Sequence, residues 1–114
     1  MTIRELRRIW AKDAELLVEI GRELDKQTLE VTVRLPRKLA SAAVRSWDRD
    51  DDEKVEFDTS KETPGQKRNR HRAGSLALIG NSVKMQGQRR GDRVTVWLDA
   101  WFIANALRAF HDQD

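Results

Sequence analysis

Seven residues, Leu29-Glu-Val-Thr-Val-Arg-Leu35, alternate apolar and polar without a break. Successive side chains of a strand point to opposite faces. The run therefore predicts a half-buried strand with Leu29, Val31, Val33 and Leu35 inward and Glu30, Thr32 and Arg34 outward. Such a strand cannot stand alone, because its edges need partners and its apolar face needs a cover. The pattern returns at Val94-Thr-Val-Trp-Leu98. Laid side by side, 31–50 and 94–113 match identically at Val31/Val94, Thr32/Thr95, Val33/Val96, Leu35/Leu98, Ala43/Ala106 and Arg45/Arg108. Leu39, Val44 and Trp47 meet Phe102, Leu107 and Phe110. Each stretch reads as a strand followed by a helix, and two such half-units can share one sheet with both helices on the same side.

A long helix precedes them. Thr2 and Glu5 have capping-box spacing, and Ile3, Leu6, Trp10, Leu17, Ile20 and Leu24 recur at helical intervals, which predicts a helix over about 3–26. Pro36 suits the start of the second helix, where its missing N–H costs nothing, and the acidic run Asp50-Asp-Asp-Glu53 ends it. Val55 and Phe57 suggest a short strand. Residues 59–75 show no periodicity and read as a flexible basic loop, Leu76 to Met85 as one or two strands, and Gly87 to Gly91 as a turn. Asp99 caps a last helix over about 100–111. The expected fold is α+β: one domain over 1–114, with a small, mainly antiparallel sheet of three or four strands and three helices.

Several chemistries are excluded. The chain has no cysteine, so thiolate metal sites, disulfides and cysteine nucleophiles are out. His71 sits among cations and His111 at a helix end, and both read as surface residues. The acidic cluster around Asp50 lacks the spacing of a calcium loop, and no nucleotide-loop or nucleophile-elbow spacing occurs. We expect no enzymatic activity, catalytic residue, metal, cofactor or small-molecule substrate. No apolar run reaches the roughly 18 residues of a membrane span, and the N-terminus lacks a signal-like apolar stretch. A soluble, cytoplasmic protein is expected from these two observations.

The net charge of +3 conceals segregation. Residues 48–58 carry seven acids and two bases, whereas 65–93 carry eight bases and one acid. Lys67, Arg68, Arg70, Arg72, Arg89, Arg90 and Arg93 form the expected phosphate-binding set, because arginine binds phosphate bidentately. Trp97 is the tryptophan that strand alternation turns outward. The first helix is basic in its N-terminal half and acidic in its C-terminal half, so two antiparallel copies would be complementary. Ile3, Leu6, Trp10, Leu17, Ile20 and Leu24 are accordingly the expected contact for a homodimer or a protein partner.

The segment Leu29-Glu-Val-Thr-Val-Arg-Leu-Pro-Arg-Lys-Leu39 resembles the start of ribbon-helix-helix DNA-binding proteins, over about 19 of the 114 residues. The resemblance implies strands paired in a dimer, with Glu30, Thr32 and Arg34 facing bases in the major groove. That family's second helix follows soon after the position of Trp47, where this chain has the acidic run. The combined expectation is a non-enzymatic accessory or regulatory factor that binds nucleic acid through the basic loop and turn. The alternative is an adaptor, inhibitor or immunity-type module that uses the long helix and the charged surfaces to hold a protein.

Overall fold

The computed structural model describes residues 1–25, 32–52 and 58–112. In chain order these form α1 (Ile3–Asp25), β1 (Thr32–Pro36), α2 (Arg37–Asp52), a 3-10 turn (Thr59–Lys61), α3 (Pro64–Gln86), β2 (Gln88–Arg90), β3 (Arg93–Trp97) and α4 (Ala100–His111). The strands make one antiparallel sheet in the order β1-β3-β2. The α+β class holds, as do the long first helix, both strand-helix half-units and the Asp99 cap, whose side chain accepts from the Trp101 N–H at 2.8 Å. Leu29 to Val31 and the strand expected at Val55 and Phe57 lie outside the described residues.

The segment expected to be a flexible loop followed by strands is instead one 23-residue helix, α3, so there are four α-helices among the described residues rather than three. Its start is built from local chemistry. Thr63 Oγ1 accepts from the Gln66 N–H at 3.1 Å, Gln66 Oε1 accepts from the Thr63 N–H at 3.0 Å, and Pro64 occupies the first turn. The C-terminal half then buries Ala73, Leu76, Ala77, Ile79 and Gly80. Small residues interleave with Leu76 and Ile79 on that face, which weakens its hydrophobic signal.

Val33, Leu35, Val94 and Val96 turn inward, and Leu17, Ile20, Leu24, Leu39, Leu76, Ile79 and Ile103 join them in one core. Helices cover that face of the sheet. The outer face is left to solvent. Leu6, Leu17, Ile20 and Leu24, expected to bind a partner, are buried within the chain, with Ile3 and Trp10 partly so. This corrects the docking expectation: α1 spends its apolar stripe on α3 and α4. The acidic end of α1 is engaged internally too, through Glu23 to Arg93 at 2.7 Å and Asp25 to His111 at 3.3 Å.

The half-units are related by an internal two-fold. Val33 pairs directly with Val96 in the β1/β3 register, and these are the same position of the repeat, so the axis passes between them. The symmetry extends to the other helices. α1 lies on α4 as α3 lies on α2. A Cβ on Gly21 would overlap the Ala106 carbonyl oxygen, and one on Gly80 would overlap that of Ala43, the repeat-equivalent of Ala106. Ala14, Leu17, Ile20 and Leu24 of α1 then correspond to Ala73, Leu76, Ile79 and Val83 of α3. The antiparallel partner of β1 is β3 of the same chain.

Both glycines permit backbone contact that no side chain allows. Gly21→Ala and Gly80→Ala are each expected to cost about 3 kcal/mol, because the helix pair must separate, whereas exposed Gly74→Ala has open space and is expected to be neutral or mildly stabilising. Denaturant unfolding of the three variants checks this.

Candidate nucleic-acid interface

Register fixes which side chains share the exposed face. Thr32 lies beside Trp97, Arg34 beside Thr95 and Gln88, and Pro36 beside Arg93 and Arg90. These rows alternate with the buried rows Val33–Val96 and Leu35–Val94. Arg89 pairs with Val94, so it belongs to the opposite face and is exposed because β2 is an edge strand. Directly after Pro36, the N–H of Arg37 donates to the Asp92 carbonyl at 2.8 Å, which ties the start of α2 to the hairpin turn. One end of the sheet therefore gathers Arg34, Arg37, Lys38, Arg90 and Arg93, all exposed. Arg93 keeps its charge firmly: the hydrogen bond to Glu23 raises its pKa against a smaller desolvation effect. The turn itself needs Gly91, whose φ of 63° is left-handed.

The other expected cations are elsewhere. Lys67, Arg68, Arg70 and Arg72 lie on the first turns of α3, and 16 residues of helix, about 24 Å, separate Arg70 from Gln86 at the start of the hairpin. The single basic surface read from the sequence is thus two. Arg70 grips Glu62 bidentately, with Nε to Oε2 at 2.9 Å and Nη2 to Oε1 at 3.1 Å. Arg72 is partly desolvated, which lowers its pKa together with the charge of Arg68, and Asp112 opposes that effect. Lys67, Arg68 and His71 stay exposed.

These residues rim a groove of about 1090 Å³ that also meets Leu78 of α3 and Trp101, Asn105 and Arg108 of α4. Asn105 Nδ2 reaches Ser75 Oγ at 3.5 Å across it. Deeper in the fold, Asp13 is only 4% exposed and accepts from Ser46 Oγ at 3.1 Å and from the Arg49 guanidinium. Burial works against the charge on Arg49, but the hydrogen bond and charge of Asp13, with Asp50 adding to them, leave its pKa raised. Asp50 is itself shifted up, chiefly by burial, with Arg49 countering. This network joins α1 to α2 and is structural. Among the described residues, no group of three or more histidines and acids could hold a metal ion, and no helix is long and apolar enough to cross a membrane.

Arg37, Lys38 and Trp101 escaped the sequence reading. Their signal was present in the repeat, since extending the offset from Val33/Val96 places Lys38 on Trp101 and Arg34 on Trp97. Glu30, expected beside them, lies outside the described residues. No protein-family model, curated protein or solved structure matches the chain.

The Glu62–Arg70 clamp gives a pH signature. The hydrogen bond from Arg70 holds the Glu62 carboxyl below its ordinary range, against a weaker desolvation effect. A depressed carboxyl stabilises the fold above its unfolded pKa of about 4.3 and loses that contribution as pH falls through the folded value. Glu62→Gln should therefore be less stable than the native chain at about pH 7, and the gap should narrow as the pH is lowered below about 4. Urea unfolding across that pH range measures it.

Proposed function

We propose that this protein is a small, non-enzymatic nucleic-acid-binding factor with an accessory or regulatory role, and that the outer face of its sheet is the contact. The observation that carries the reading is the gathering of Arg34, Arg37, Lys38, Arg90 and Arg93 at one end of an exposed sheet. Guanidinium groups fork onto phosphate oxygens in two parallel hydrogen bonds, and the two lysine and arginine positions at the start of α2 extend the row. Condensed counterions leave the nucleic acid as these cations bind, so affinity should fall steeply with salt. The resemblance of β1 and α2 to the ribbon-helix-helix proteins supports the same face, because Thr32 and Arg34 are outward on it.

Arg34→Ala with Arg90→Ala is expected to weaken binding to arbitrary duplex DNA and to flatten the logarithmic salt slope by about 1 to 2. The pair Lys67→Ala with Arg68→Ala, on the far turns of α3, should have the smaller effect. Electrophoretic retardation between about 50 and 200 mM salt measures both. The groove favours a second reading, a protein-binding adaptor, because Leu78 and Trp101 give it an apolar floor and Lys67, Arg68 and Arg108 a basic rim suited to an acidic peptide. Absence of retardation at about 50 mM salt sinks the first reading in favour of this one.

A further inference from the structure

The internal two-fold is kept in the core and broken on the surface. Buried partners retain their character, as in Val33/Val96, Leu35/Leu98 and Ala43/Ala106. On the exposed side the exchange pairs Arg34 with Trp97, Arg37 with Ala100 and Lys38 with Trp101. Cations on one half thus face indoles on the other. Trp97 is 47% exposed and Trp101 56%, whereas Trp10 and Trp47 are half-buried. Folding does not explain two wet indoles four residues apart, Trp97 at the end of β3 and Trp101 in the first turn of α4, since each leaves a large apolar face in water. Gln86 Nε2 donates to the Trp97 carbonyl at 3.3 Å, and the Trp101 ring sits edge-on to Phe102, with centroids 5.4 Å apart.

Building on the nucleic-acid reading, we propose that the preferred ligand is a duplex adjoining a single-stranded segment. Phosphates of the duplex meet the cationic end, and unpaired bases stack on Trp97 and Trp101. A uniform duplex offers phosphates alike to both ends of a two-fold surface and hides the faces of its bases, so the indole end gains nothing from it. An unpaired base exposes a π-face, and every base has one, so stacking there needs no particular sequence. From the Pro36/Arg93 row to the Thr32/Trp97 row is four residues of strand, about 13 Å. That equals about four nucleotide spacings of 3.4 Å, so a short overhang spans the surface.

The test uses the full chain and three fluorescent DNA probes of equal nucleotide count: a blunt duplex, a single strand, and a duplex with an overhang of about five nucleotides. Anisotropy should show the overhang probe bound about tenfold or more tightly than the blunt one. Trp97→Ala with Trp101→Ala should abolish that preference, bringing the overhang probe to the affinity of the blunt one, while Arg34→Ala with Arg90→Ala should weaken both duplex probes in parallel. Should the alanine pair fail to fold, Trp97→Leu with Trp101→Leu keeps apolar bulk without the stacking face and decides the point. Equal affinity for blunt and overhang probes overturns the inference and leaves the nucleic-acid reading standing. Binding of none of the three overturns both.

Discussion

Backbone-to-backbone contact at two glycines governs this architecture. Gly21 and Gly80 let α1 rest on α4 and α3 on α2 so closely that a single added carbon would occupy the space of a carbonyl oxygen. Once each pair is seated, Leu17 and Ile20 on one side and Leu76 and Ile79 on the other meet in the middle, and α1 packs against α3. All four helices are then committed to one side of a three-stranded sheet. Its outer face is bare as a consequence of how the core is filled, and the residues that alternate outward become the available surface. Dense helix contact on one side and a solvated sheet on the other is the arrangement in which antiparallel strands best keep two chemically different faces.

Much of the skeleton could be read from local pattern. Strict alternation located β1, the offset repeat located β3 and α4, and the three-four spacing located α1. Helix α3 escaped because its opening looked like a loop: Pro64, Gly65 and four cations in six residues suggest solvent, and its buried face mixes Ala73, Ser75, Ala77 and Gly80 with only two large apolar residues, Leu76 and Ile79. The capping box Thr63-x-x-Gln66 with Pro64 was the local signal for it. Small residues at helical spacing mark close helix approach as much as leucines mark a core, and a purely hydrophobic count undervalues them. The surface was harder. That Arg90 and Arg93 share a face with Arg34 follows from strand order β1-β3-β2, which no local pattern encodes. The separation of the α3 cations from the hairpin likewise follows from the helical state of the intervening residues.

A core that is two-fold and a chain that is single have an electrostatic consequence. In a homodimer each substitution appears twice, whereas here the halves vary independently, and equivalent sites carry swapped charges. Lys84 meets Asp48 at 2.6 Å between α3 and α2, and at the corresponding sites Asp25 meets His111 between α1 and α4. Asp13 with Arg49 corresponds to Arg72 with Asp112 in the same way. Because the apolar seats of α1 and α3 are nearly alike, packing alone would discriminate poorly between the correct pairing and an exchanged one. Were α1 to take the place of α3 on α2, Asp25 would oppose Asp48. Exposed ion pairs add little to stability, so Lys84–Asp48 contributes chiefly by penalising the wrong partner.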